Sequence, residues 1–128
     1  MQEKAVIRKK ALITRKNNYF EVSNNFFKPL NKLLDKKKDK FLSLSLYYPT
    51  NYEVNILKLL ASIKIKKIKT LLPIITGKNK MNFIKWENLD PLQVNNFGIL
   101  EPCLRTNYLI PDVMLVPLLA FDSKNNRL

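Results

Sequence analysis

Two basic side chains near the start of the chain, Lys4 and Arg8, are the first candidates for chemistry. They stand four residues apart in a segment, residues 2 to 15, whose apolar positions recur at helical spacing. Side chains with this spacing project from one face of a helix, about one turn from each other. Such a cationic pair can bind phosphate groups, but taken alone the pattern favours a solvated helix face.

A carboxylate in the middle of the chain, Glu53, is the second candidate. It follows a predicted turn over residues 48 to 51, and apolar spacing after it predicts a helix that begins at Glu53 and ends near Ile63. An acid in a first helical turn is stabilised by the helix dipole, so a capping role competes with a ligand-binding role. The pattern leaves both open.

The last seventeen residues contain a wholly apolar run, Val113–Val116, between Asp112 and Pro117. Such a run is typical of a central strand of a parallel sheet, covered on both faces. Asp122 and Arg127 follow it. Because ligands of open α/β sheets bind outside the carboxyl ends of the strands, this tail is predicted to lie at the site.

Several classes of chemistry are excluded by composition. The chain has no histidine, which excludes histidine-based catalysis and histidine-ligated zinc. Its single cysteine, Cys103, can form no disulfide within one chain. No segment has the features of a signal peptide or of a membrane span, so a cytoplasmic protein without membrane contacts is expected.

The formal net charge is +13, and this excess first suggests a polyanion partner such as RNA. The lysines are scattered, however, among many asparagines and isoleucines, as is typical of proteins encoded by AT-rich genomes. Charge of this kind indicates solubility and non-specific association more than a function. We therefore expect no nucleic-acid partner, and a small basic RNA-binding protein remains the less favoured alternative.

The remaining patterns predict the elements that would position these residues. Residues 22 to 34 read as a helix that Pro29 divides, with its apolar side chains buried. Strands are predicted at 41–47, at 68–76 with Pro73 marking an edge or an end, and at 81–86. Trp86 suits packing and ligand stacking equally well. Helices alternating with strands predict one α/β domain over residues 1–128, a three-layer open sheet with largely parallel central strands and flanking helices.

A collinear series of short segments runs along most of the chain. They are Lys4–Arg8, Tyr47–Pro49 with Glu53–Val54, Met81–Phe83, Phe97–Pro102, and Val116–Pro117 with Ala120–Asp122 and Asn126–Leu128. In order and spacing this series resembles the landmarks of 5-formyltetrahydrofolate cyclo-ligases, also called methenyltetrahydrofolate synthetases. The resemblance implies an enzyme of folate metabolism that converts 5-formyltetrahydrofolate to 5,10-methenyltetrahydrofolate with ATP and Mg²⁺.

The resemblance also implies roles for single residues. Lys4 and Arg8 would bind the phosphates of ATP, and Arg127 would begin the nucleotide-binding loop. Tyr48 and Glu53 would contact the folate substrate. The metal-binding acid of the family lies in a Tyr-Tyr-Asp segment that follows the Arg-Leu pair, so no residue present here is assigned to Mg²⁺. A monomer is expected.

Departures from the family pattern concern the end of the chain. Leu118 stands where the family has a glycine after the proline and is expected to crowd the strand's exit. Asn125 replaces a second glycine, and asparagine tolerates left-handed backbone geometry. The glycine-rich loop would follow Leu128, so the domain is expected to be incomplete at its C-terminus and poorly active. A folate- or nucleotide-binding remnant without turnover is the main alternative.

Overall fold

The computed structural model describes residues 2–37, 42–65, 67–103 and 107–128. Its helices are α1 (Gln2–Asn17), α2 (Lys28–Lys37) and α3 (Leu60–Ile65), with 3₁₀ turns at Asn24–Phe27 and Ile56–Leu59. Its strands are β1 (Ser43–Ser45), β2 (Lys69–Gly77), β3 (Lys80–Lys85), β4 (Leu92–Val94), β5 (Leu100–Pro102) and β6 (Val113–Met114). None of the described helices is long and apolar enough to cross a bilayer.

The main sheet has the strand order β3-β2-β1-β6. β1 runs parallel to both β2 and β6, and β2 and β3 form an antiparallel hairpin through the turn after Gly77. The predicted α/β fold with largely parallel central strands is therefore confirmed. The strand predicted at 41–47 contains β1, although Phe41 lies outside the described residues.

One face of the sheet carries the apolar core. Leu44 on β1 is registered with Thr70 on β2 and with Val113 on β6. Leu44 and Leu72 lie in one buried cluster with side chains from α2, α3 and both 3₁₀ turns. The site described below lies beyond the carboxyl ends of β1 and β6, next to this cluster. The helical and turn members of the cluster include Phe27, Leu34, Ile56, Leu59 and Ile63.

The wholly apolar run near the C-terminus was predicted as a central strand, and this prediction is wrong. Among the described strands β6 lies at the edge of the sheet, and β1 is the central one. Val113 and Leu115 pack against the core, whereas Met114 and Val116 point to the other face and are 48% and 50% exposed. Side chains alternate along a strand, so one covered face buries only every second residue.

Pro73 occupies the middle of β2 rather than an edge strand or a strand end. β1 pairs with β2 only as far as Leu71, whose carbonyl accepts a hydrogen bond from the Leu46 amide. Backbone groups two residues apart face the same side of a strand, so Pro73 lies where β2 has no further partner in β1. The missing N–H therefore removes no ladder hydrogen bond.

The first two of the three predicted helices were correct in position, and the buried side of the second was only partly correct. α1 forms as predicted, and its apolar side chains Val6 and Ile13 are each 52% exposed. Pro29 divides the second helical segment as expected, because it lies in the first turn of α2, where a missing N–H is tolerated. Leu34 is fully buried, whereas Phe26 and Leu33 are each 47% exposed, contrary to prediction.

A short β4–β5 hairpin was not predicted from the sequence. β5 contacts β2, and the Glu101 carboxylate, which is buried, accepts a hydrogen bond from the Ile75 amide at 3.2 Å. Trp86 is also buried, and its indole N–H donates to the Asp90 carbonyl at 3.2 Å. Of its two predicted roles, the structure supports packing.

Candidate functional site

A cavity of about 370 Å³ lies just beyond the carboxyl ends of β1 and β6. Tyr47 follows β1 by two residues and Val116 follows β6 by two, and both line it. The strand order reverses here, since β2 lies on one side of β1 and β6 on the other. Such a switch point is where open α/β sheets bind their ligands. The C-terminal tail reaches this place as predicted.

Two cavities of similar volume, about 310 and 340 Å³, lie elsewhere in the described part of the chain. One is lined by Lys69 at the start of β2, and both are lined by Lys85 at the end of the antiparallel strand β3. They therefore lie at the opposite edge of the sheet, away from the carboxyl ends of the parallel strands. We take the cavity beside β1 and β6 as the candidate site.

Aromatic side chains form much of its wall. Tyr19, Phe20, Tyr47 and Tyr52 line it, and the rings of Tyr19 and Tyr52 meet edge to face at 5.8 Å between centroids. Lys16 adds a cation over the Tyr52 ring, with its Nζ 5.8 Å from the centroid. A concave aromatic wall with a few polar groups suits a planar organic ligand.

Glu53 lines the cavity, but it does not open a helix as predicted. The helical segment begins later, at Ile56, and its N-cap is Asn55, whose side chain accepts from the Leu57 amide. Glu53 instead closes a turn: its Oε1 accepts from the Thr50 amide at 2.8 Å and from the Thr50 hydroxyl at 3.1 Å. Its Oε2 has no hydrogen bond to any described residue, so this oxygen is available to a ligand.

Of the adjacent tyrosines Tyr47 and Tyr48, it is Tyr47 that lines the cavity. Its hydroxyl donates to the Val54 carbonyl at 2.9 Å. Burial and, secondarily, the negative charge of Glu53 raise the pKa of Tyr47 to about 12, and Arg15 opposes the rise. Tyr47 is therefore a neutral donor at physiological pH. The ring of Tyr48 packs edge to face on Trp86, 6.4 Å between centroids.

Arg15, on α1, is a cavity residue that the sequence analysis did not single out. Its Nη1 donates to the Leu118 carbonyl at 3.2 Å. Its Nε is buried and has no hydrogen-bond partner among the described residues. The available signal was position alone: Arg15 lies seven residues after Arg8, which returns a helix to the same face.

Arg127 lies at the rim of the cavity, where it contacts the lining residue Pro117. Its Nε and Nη2 both donate to the Pro117 carbonyl, at 3.4 and 3.3 Å. Asp122 organises the turn before it by accepting from the Lys124 and Asn126 amides at 2.9 and 2.8 Å. The Asn126 side-chain amide also donates to Asp122, at 2.9 Å. This bond first, and then the backbone amides, lower the pKa of Asp122. Its oxygens are thus already engaged.

The two glycine replacements differ in what the structure shows of them. Asn125 adopts a left-handed conformation, φ 62°, so the expectation that asparagine would serve there is confirmed. Leu118 was expected to crowd the strand's exit, and this stays a prediction: its side chain is 46% exposed and lines the cavity. Its carbonyl instead anchors Arg15.

Lys4 and Arg8 lie on the exposed surface of α1 and line none of the cavities described above. The structure therefore brings together Glu53 and, at the rim, Arg127, while Lys4, Arg8 and Tyr48 lie outside the cavity wall. Among the described residues no three metal-ligating side chains cluster.

Comparison with known proteins gives the same family along the whole chain. The model of the 5-formyltetrahydrofolate cyclo-ligase family matches residues 1–128. The chain belongs to this family. It is 29% identical over 102 residues to the 5-formyltetrahydrofolate cyclo-ligase of Haemophilus influenzae, covering 75% of this chain and 54% of the relative. The chain therefore spans about half the length of this curated cyclo-ligase.

Solved structures support the fold. The 5,10-methenyltetrahydrofolate synthetase of Aquifex aeolicus superposes with a TM-score of 0.65 at 27% identity, over 97% of this chain and 65% of that protein. The synthetase of Mycoplasma pneumoniae gives the same TM-score at 22% identity, over 97% of this chain and 69% of that protein. Nearly every residue of this cyclo-ligase family chain thus has a counterpart in folds of known structure.

Proposed function

We propose that this chain provides the folate site of an enzyme that converts 5-formyltetrahydrofolate to 5,10-methenyltetrahydrofolate with consumption of ATP. The observation that carries the proposal is the aromatic cavity beside β1 and β6, with Glu53 in its wall, in a chain that the cyclo-ligase family model matches throughout. The cavity lies at the switch point of the sheet, which is where open α/β folds bind small ligands.

The cavity residues suit the pterin end of the folate. Oε2 of Glu53 can accept hydrogen bonds from the N–H groups of a pterin, while Oε1 stays in the turn with Thr50. The rings of Tyr47 and Tyr52 offer apolar faces to the bicycle. Tyr48 remains a proposed substrate contact, although its ring packs on Trp86 here.

The proposed reaction demands alignment and positive charge more than acid–base groups. The formyl oxygen attacks the γ-phosphorus and ADP leaves. N10 then closes on the activated carbon and loses its proton to solvent, and phosphate departs. Positioning of two bound reactants and neutralisation of phosphate charge supply most of the acceleration in phosphoryl transfer. A chain without histidine can meet both needs.

Lys4, Arg8 and Arg127 are the proposed contacts to the ATP phosphates. Mg²⁺ would neutralise phosphate charge when bound with ATP. The described residues do not fit a metal site, since no three ligating side chains cluster and the oxygens of Asp122 are engaged in its own turn. We further propose a cytoplasmic monomer without nucleic-acid partners.

The test is calorimetric titration of the purified 128-residue chain with 5-formyltetrahydrofolate, followed by an assay for the methenyl product with ATP and Mg²⁺. We expect saturable binding of the folate, and yeast RNA at physiological salt should not compete. Binding with product supports the full reaction, and binding without product supports the folate-binding remnant. An absence of folate binding would contradict the proposal.

A further inference from the structure

The guanidinium of Arg15 is incompletely satisfied inside the candidate site. Among the described residues only its Nη1 has a partner, the Leu118 carbonyl at 3.2 Å. Nε is buried without a partner, and Arg15 forms no ion pair within the described residues. Nε–H and one N–H of Nη2 project side by side from the guanidinium plane, and this edge matches two oxygens of one carboxylate or phosphate.

Arg127 provides a comparison within the same molecule. Its guanidinium uses the same edge, Nε with Nη2, and both nitrogens donate to the Pro117 carbonyl. The adjacent carbonyl, that of Leu118, takes only Nη1 of Arg15. Two arginines are therefore anchored on neighbouring residues of one segment. The edge that binds a carbonyl in Arg127 contacts no acceptor of the described residues in Arg15.

The position of Arg15 on α1 relates it to the other basic residues. At about 100° per residue, Lys4, Arg8 and Arg15 fall within about 40° of one another around the helix axis. At about 1.5 Å per residue, Arg15 lies roughly 10 Å along the axis from Arg8. This basic face leads from the proposed phosphate contacts to the cavity, where Arg15 is one of the lining residues.

A buried charged donor without a partner is rare in folded proteins and calls for an explanation. We propose that Arg15 is an oxyanion-binding residue of this cavity, whose Nε–Nη2 edge takes two oxygens of one anionic group of the substrates. The group is a phosphate of ATP or a carboxylate of the folate, so the assignment rests on the proposed function. Because Nε is covered in this structure, binding requires a small shift of side chains, as is common at binding sites.

The test follows the Arg15 Nε–H signal in ¹H–¹⁵N spectra of the labelled chain, assigned by its absence in Arg15→Lys. The probes are a non-hydrolysable ATP analogue, 5-formyltetrahydrofolate and inorganic pyrophosphate, each titrated separately. We expect at least one probe to shift this signal and slow its exchange with water. A purely structural arginine would keep the same signal throughout.

Affinities of variants provide the second readout. Arg15→Gln should weaken the probe that shifts the signal by roughly 10- to 100-fold, the range for a lost charged hydrogen-bond pair. Arg15→Lys keeps the charge but not the edge and should also weaken it. The control is Lys9→Gln, an equal charge change about 120° away from Arg15 around the axis of α1, which should leave affinity nearly unchanged.

The outcomes separate this inference from the proposed function. A shift and an affinity loss with the ATP analogue identify a phosphate as the ligand, and the same result with the folate identifies a carboxylate. A shift with pyrophosphate in a chain that does not bind folate would contradict the proposed function and leave the Arg15 assignment standing. No shift with any probe, or equal losses in Arg15→Gln and Lys9→Gln, would overturn the assignment.

Discussion

The two carboxylate oxygens of Glu53 have separate tasks. Oε1 holds the Thr50 amide and hydroxyl, and Oε2 is available to a ligand. Glu53→Gln retains an oxygen for the turn but removes the charge and the second acceptor. We therefore expect calorimetry to show folate affinity reduced by roughly 10- to 100-fold, while the urea midpoint changes little.

The matched variant for this position is Thr50→Val, which removes the turn hydroxyl and leaves the Glu53 charge in place. It should lower stability by about 1 kcal/mol with a smaller effect on affinity. Unchanged folate affinity in Glu53→Gln would show that this carboxylate serves the turn alone.

The burial of Tyr47 should make the stability of the fold depend on pH in the alkaline range. Its pKa rises from 10.0 to about 12 on folding, chiefly through burial, so the folded state favours the neutral phenol. This contribution to stability is complete below pH 10 and is lost as pH rises from 10 to about 12. Urea unfolding of Tyr47→Phe should therefore decline less over this range than wild type. Parallel declines would contradict the assignment.

Properties of single residues could be predicted from the sequence better than their contacts with distant residues. Asn125 was correctly expected to accept left-handed geometry, because that preference is local. Which of two adjacent tyrosines enters the cavity depends on the packing of Trp86 against Tyr48, a long-range contact. Arg15 was missed because its significance lies in a hydrogen bond to Leu118, 103 positions away.

The attachment of α2 to the sheet gives a prediction at the scale of elements. Leu34 is fully buried in the core cluster, whereas its neighbour Leu33 is 47% exposed. Leu34→Ala should lower the unfolding free energy by about 2–5 kcal/mol through lost burial and the resulting cavity. Leu33→Ala, the same substitution one position away, should cost less than about 1 kcal/mol. Chemical denaturation measures both, and similar losses would show that α2 is rotated.

Local patterns located most elements but could not assign their neighbours. The hairpin of β2 and β3 was recognisable because turn residues separate two apolar runs. The run Val113–Val116 reads the same in a central or an edge strand, so its edge position was not predictable. The β4–β5 hairpin has only three residues in each strand, too few for a periodic signal.

The net charge of +13 acts on the molecule as a whole. Like charges repel in the compact state, and salt screens them as the Debye length falls from about 30 Å at 0.01 M to about 8 Å at 0.15 M. We expect the urea midpoint to rise over this range of sodium chloride. Chloride is preferred to sulfate, which stabilises by exclusion from the surface. A midpoint that falls with salt would show that attractive ion pairs dominate.

At this scale the family was recognisable from sequence, since its landmarks are collinear and the family model matches residues 1–128. Net charge alone first suggested an RNA partner. It misleads because it carries no information about where on the molecule the cations lie. The structure adds the location: a cavity at the switch point of the sheet, with Glu53 and Arg15 in its wall.

The central claim is that this cavity binds the folate, and amide chemical-shift mapping tests it most directly. Titrating 5-formyltetrahydrofolate into the ¹⁵N-labelled chain should perturb residues 15–22, 47–54 and 116–118, which contribute the cavity wall. Shifts confined to the opposite edge of the sheet, around Lys85, Asp90 and Asn107, would place the ligand in the other cavity and contradict the account.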